Sequence, residues 1–159
     1  MFDSRLYALR QSFLFSTVDP QNLSKIARIV SARSFDKHEI IFQEGEEALG
    51  FFVVANGSVK IYKLALNGDE LILHIINKGA SFAEAVVFGS LKQYPAFAEA
   101  LENTEILFIP KNDFLSAMKS DFTLTKAVMA SLAEKLRYFN TLVEELSLKE
   151  ADARIAKHL

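Results

Sequence analysis

The spacing of short apolar runs between residues 33 and 110 constrains this chain more than any other feature. From Arg33 onward hydrophobic residues recur with a period of two, in runs over 40–42, 51–55, 59–64, 71–76 and 106–109. Gly45, Gly50, Asn56-Gly57, Asn67-Gly68 and Gly79 punctuate them. Side chains along a strand alternate between faces, so short strands at even spacing with turn residues between them fold as a sandwich or barrel. Asn67-Gly68 tolerates positive φ and predicts a two-residue type I′ hairpin.

Helical periodicity brackets this β region. Residues 3–15 carry Leu6, Leu9, Phe13 and Leu14 three or four apart, and Asp19-Pro20 reads as the cap and first residue of a helix over 20–31. Pro110 ends the strands, 112–118 reads as a short helix, and Asp121 can cap the last element. From Phe122 to Glu150 there is neither Gly nor Pro, a rod of roughly 40 Å at 1.5 Å per residue. Leu132, Leu136, Phe139, Val143 and Leu146 alternate spacings of four and three along it, the a/d pattern of a coiled-coil seam. Such a seam either pairs with a second subunit or packs on the β domain. A rod this long exceeds what so small a β domain needs, which favours a homodimer.

The fold expected is therefore mainly β with helices (α+β). It comprises a β domain, sandwich or barrel, over 1–120, a pairing helix over 121–150, and over 151–159 the start of a further domain. Ile155 and Leu159 continue the helical pattern there.

Composition removes several function classes. Eighteen Lys+Arg against 20 Asp+Glu leave a formal charge of −2, not the basic footprint of a free-standing nucleic-acid binder. The absence of Cys excludes disulfides, iron–sulfur clusters and a thiol nucleophile. No apolar run approaches membrane-span length and no signal pattern opens the chain, so a cytoplasmic protein without a membrane partner is expected. No Ser/His/Asp spacing, Gly-rich phosphate loop, metal-ligand cluster or carboxylate pair marks an enzyme.

Several words of the sequence, in order, resemble the cAMP-receptor/FNR (Crp/Fnr) family of bacterial transcription regulators across the whole length. These are Gly45-Glu46, the run from Val54 to Tyr62, the Asn67-Gly68 hairpin, Gly79, Phe82-Ala83-Glu84, and Leu146-Ser147-Leu148-Lys149 followed by Ala153-Arg154-Ile155-Ala156. Within the family, the run from Phe82 to Phe88, Tyr94-Pro95-Ala96 and Glu145-Leu146-Ser147-Leu148-Lys149 are most similar to the DNR and HcpR branches, haem-dependent regulators that respond to nitric oxide. The resemblance implies a jelly roll of the cyclic-nucleotide-binding type and a long dimerisation helix. It also implies a winged helix-turn-helix, beginning near 151, that would carry promoter DNA binding outside this chain.

The resemblance also locates an effector pocket. Cyclic-nucleotide binders carry Gly-Glu in the phosphate-binding cassette and, later, Arg and a hydroxyl residue. Here Glu84 is kept, but Ala83 stands at the glycine position and Pro95 and Ala96 at the other two. A buried phosphate would lack a guanidinium, a loss of about 2–5 kcal/mol. Phe139 and Asn140 align with the base-contacting positions of the long helix. These replacements leave apolar candidates for the wall, namely Phe82, Val86, Pro95, Phe97 and Phe139, which suits a large planar guest.

Haem is that guest under the resemblance, and it needs an axial donor. His74, mid-strand before the cassette, is the leading candidate; the bland alternative is a strand histidine satisfied by a hydrogen bond. Met129 could reach the roll as a second metal ligand, and Tyr94 is a weak one. Met118 reads as a core filler, His38 as a solvated turn residue, and His158 falls in the tail. Glu84 could instead cap the N–H groups of its own short helix. The remaining alternative is a roll with no small ligand, filled by its own side chains.

Overall fold

The computed structural model describes residues 4–158, with side chains described through 155. Two helices lead, α1 (Ser4–Gln11) and α2 (Pro20–Ile29), followed by β1 (Ser31–Phe35), β2 (Ile40–Phe42), β3 (Gly50–Asn56), β4 (Ser58–Leu64) and β5 (Glu70–Asn77). Then come β6 (Ser81–Phe82), α3 (Ala85–Phe88), β7 (Phe97–Ala100), β8 (Thr104–Pro110), α4 (Lys111–Ser120) and α5 (Phe122–His158).

The strands form two antiparallel four-stranded sheets, ordered β1-β8-β3-β6 and β2-β7-β4-β5. This is the expected jelly roll. β3 is apolar from Gly50 to Ala55 because both its faces are buried there. Phe51 and Val53 join Leu9, Leu23, Ile26 and Phe114 beneath the N-terminal helices, while Phe52 and Val54 join Phe42, Phe82 and Phe108 inside the roll. β8 divides its residues in the same way. Gly50, on β3, has no room for a side chain, since a Cβ there would lie 2.2 Å from the Ile109 carbonyl oxygen.

All five expected apolar runs are strands, and three further strands carried no such signal. β1 is exposed at four of its five residues, β6 has two residues, and β7 turns only alanines, Ala98 and Ala100, into the core. The hairpin after β4 differs from the type I′ expectation. Gly68 N–H donates to Ala65 O, Ala65 N–H donates to Asp69 O, and only Gly68 has positive φ, at 89°. That is a three-residue loop closed by a glycine bulge, in which Asn67 keeps a negative φ and its Oδ1 accepts from Asp69 N.

The two leading helices stop sooner than expected, whereas α4 and α5 run longer. Asp19 accepts from Asn22 N at 3.1 Å and caps α2, which ends at Ile29 because extended Val30 leads into β1. α1 ends at Gln11, short of the expected 15. Asp121 accepts from Thr123 N at 2.9 Å at the start of α5. That helix runs unbroken past residue 150, so no change of backbone marks the expected 150/151 boundary. Its first turns belong to the domain core, with Leu124, Val128 and Ser131 buried and Leu132 packed against them. Beyond them Leu136, Phe139, Val143 and Leu146 stand exposed. No helix among the described residues is long and apolar enough to cross a membrane.

Candidate functional site

The centre of the roll is filled by its own aromatic rings. Phe42 stacks on Tyr94 with centroids 3.9 Å apart, and Phe52 stacks on Phe82 at 5.0 Å. What stays open is a cavity of about 460 Å³ at the flank, between β5, the cassette segment and α5. Phe42, Ile61, Ile76 and Phe82 form its apolar wall; His74, Ser81, Glu84 and Lys135 are its polar groups; Pro95, Ala96 and Phe139 complete it.

A β-bulge aims His74 into this space. Ile61 pairs with His74 but the next residue, Tyr62, pairs with Ile72, leaving Leu73 as the extra residue. The inserted residue turns His74 onto the face of Ile61 and the cavity, a use of bulges seen beside binding sites. β5 is also the edge of its sheet, so the imidazole is exposed. The alternative of a satisfied strand histidine is not realised, because its ring makes no hydrogen bond or ion pair among the described residues. His38 sits in a turn at φ 74°, approaches Glu99 at 3.4 Å and does not line the cavity.

Ala83 has φ 64°, in the left-handed region that favours glycine. The Glu84 side chain makes no cap bond to α3. Instead it accepts a hydrogen bond from the Ser81 hydroxyl, and its Oε1 lies 3.6 Å from Lys135 Nζ on α5.

Of the residues singled out from the sequence, His74, Phe82, Glu84, Pro95 and Phe139 line the cavity. The others do not. Val86 is fully buried in the roll interior, behind that wall. Tyr94 is committed elsewhere: its hydroxyl donates to Gly50 O at 2.8 Å and burial pushes its pKa up, so it is no ligand to the cavity. Phe97 stacks on Tyr62 on the outer face at 5.3 Å, because the inward parity of β7 belongs to Ala98 and Ala100. Asn140 is exposed beside Phe139 rather than on the cavity wall. Met129 is 59% exposed, and it precedes Phe139 by about 15 Å of helix, so the structure does not pair it with His74.

Sequence reasoning missed Lys135 and held the site to be without a cation. The signal was present: Lys135 precedes Phe139 by four residues, one turn away on the same helix face.

A family model for the cyclic nucleotide-binding domain matches residues 32–121, more than half of the chain. The chain belongs to the cyclic nucleotide-binding domain family. Similar curated proteins are regulators of the Crp/Fnr type. The Cyclic AMP receptor protein of Thermus thermophilus is 26% identical over 148 residues, 93% of this chain and 68% of that protein. The Anaerobic regulatory protein of Bacillus subtilis is 29% identical over 120 residues, 76% of this chain and 50% of its own length. Among solved structures, DNR from Pseudomonas aeruginosa aligns with a TM-score of 0.80 and 29% identity, covering all of this chain and 70% of that one. The chain thus spans between half and about two thirds of these relatives, as a Crp/Fnr-type sensory domain with the DNR-like likeness expected from its sequence.

Proposed function

We propose that this domain senses a small effector for a bacterial transcription regulator, that the effector is haem in the flank cavity, and that nitric oxide is the signal read there. The observation that carries the reading is His74: an exposed imidazole with no partner among the described residues, aimed by a bulge into a cavity walled by apolar and aromatic side chains. An apolar cavity of several hundred cubic ångströms with few polar groups is the usual form of a small-molecule site.

The donor set fits one axial position. His74 would hold the iron, while Phe82, Ile76 and Pro95 would bury the ring. When bound, the group would supply an iron centre to which a diatomic gas can bind. The protein's own part is to exclude water with its apolar wall and to fix the guest against Phe139 of α5. Occupancy would then bias two arrangements of the long helices, whose exposed halves pair in a homodimer and set the DNA-binding domains outside this chain.

Cyclic AMP fits less well, although the Thermus relative is named for it. Pro95 and Ala96, which line the cavity, offer a cyclic phosphate neither guanidinium nor hydroxyl. Titration of the purified protein with hemin tests the haem reading. A saturable Soret band at one equivalent is expected, shifted by nitric oxide after reduction and weakened at least tenfold in affinity by His74→Ala. Absence of a Soret shift, or an unchanged spectrum and affinity in His74→Ala, contradicts it.

A further inference from the structure

Lys135 is loosely engaged. Its Nζ lies 3.6 Å from Glu84 Oε1, and its side chain makes no hydrogen bond among the described residues. Glu84 is the better held partner: it also accepts from the Ser81 hydroxyl, and its side chain is 22% exposed against 40% for Lys135. An ammonium has three protons to donate. An incoming anion can therefore take Lys135 at the cost of one long ion pair, whereas an incoming cation would have to compete for a carboxylate that is already bonded.

The place of Lys135 fixes where such an anion would sit. The cavity shares Ala80, Ser81, Lys135 and Phe139 with an adjoining groove of about 480 Å³ flanked by Phe13 and Tyr138. Lys135 stands at this junction, where a charge keeps contact with water and avoids the cost of burial. The wall away from the junction is apolar. The other carboxylate at the groove, Glu134, is paired with Arg137 at 3.0 Å.

We propose that the cavity selects an amphipathic acid, a flat apolar body with a carboxylate at the groove junction that draws Lys135 away from Glu84. This rests on the planar apolar guest proposed above, but it does not require iron. Glu84–Lys135 is the ion pair that ties the cassette to α5 among the described residues. An acid that opens it therefore acts directly on the long helix, which a neutral ligand of the same shape does not.

The test compares metal-free protoporphyrin IX with its dimethyl ester by fluorescence titration, using the wild type, Lys135→Gln, Lys135→Arg and Glu84→Gln. The wild type is expected to bind the acid roughly tenfold more tightly than the ester. Lys135→Gln should bring the acid down to the ester and leave the ester unchanged, and Lys135→Arg should keep the preference. Glu84→Gln, by removing the competitor, should tighten the acid alone; loss of a merely structural pair would weaken acid and ester together in both variants. Equal binding of acid and ester by the wild type, or equal loss of both in Lys135→Gln, overturns the proposal. A charge-dependent porphyrin affinity without a Soret response to hemin overturns the haem reading and leaves this one standing. Hemin and its dimethyl ester binding alike through His74 does the reverse. Failure of every porphyrin to bind overturns both.

Discussion

Ala83 carries a side chain on a backbone conformation that favours glycine. A left-handed φ of 64° costs a side-chain-bearing residue about 1–2 kcal/mol, partly offset because glycine loses more chain entropy on folding. Ala83→Gly should therefore raise stability by about 0.5–1 kcal/mol in urea denaturation, and Ala83→Val should lower it. Asn22 shows a second single-residue effect. Its buried amide nitrogen donates to Asp19 Oδ1 at 2.8 Å, and the same amide holds the carboxyls of both Asp19 and Asp121 below the ordinary carboxylate range, linking the starts of α2 and α5 electrostatically. A folded-state pKa depressed in this way stabilises above the unfolded value near 3.8 and ceases to do so as pH falls through the folded value. Asn22→Ala should thus melt below the wild type at pH 7, and the gap should narrow at pH 3; a gap that widens on acidification would contradict the clamp. At this scale the sequence was only partly readable. His74 and Glu84 could be found from their surroundings in sequence, but Phe97 and Tyr94 could not be sorted without strand parity and a hydroxyl partner. Lys135 looked like any solvated lysine until the helix carrying it was placed beside the cassette.

Among the elements, α5 has two halves with different loyalties. Leu124 and Val128 lock its start into the core, while Leu136, Phe139, Val143 and Leu146 expose between 48% and 65% of their surface. A row of apolar side chains at coiled-coil spacing, exposed on the isolated chain, calls for a partner. Leu136→Glu and Leu146→Glu should each yield monomers by gel filtration with unchanged circular dichroism, since neither residue touches the core. A dimer persisting in both would refute the seam. The strands tell how far pattern carries. Runs buried on one or both faces were visible, β3 and β8 most plainly. β1 and β7 were not, because one is a largely exposed strand and the other packs alanine where the two sheets leave little room. The hairpin failed for a local reason: Leu66 and Asn67 make an ordinary turn, and Gly68 alone supplies the positive φ.

For the whole molecule, the question is whether the cavity and the seam act together. Phe139 belongs to both: it lines the cavity and carries the a/d pattern. Lys135, beside the seam residue Leu136, faces the cassette. If a guest that presses on Phe139 or draws on Lys135 shifts the monomer–dimer equilibrium, linkage requires dimerisation to change the guest's affinity by the same factor. The roll, the long helix and their order could be read from periodicity and family likeness. This coupling could not, because it depends on which face of the helix meets the cassette. Sedimentation velocity over a protein dilution series, with and without one equivalent of hemin, tests it most directly. Hemin should change the dimer dissociation constant at least fivefold, and Phe139→Ala should abolish the change. Hemin that gives a Soret band through His74 yet leaves the dissociation constant unmoved would contradict it.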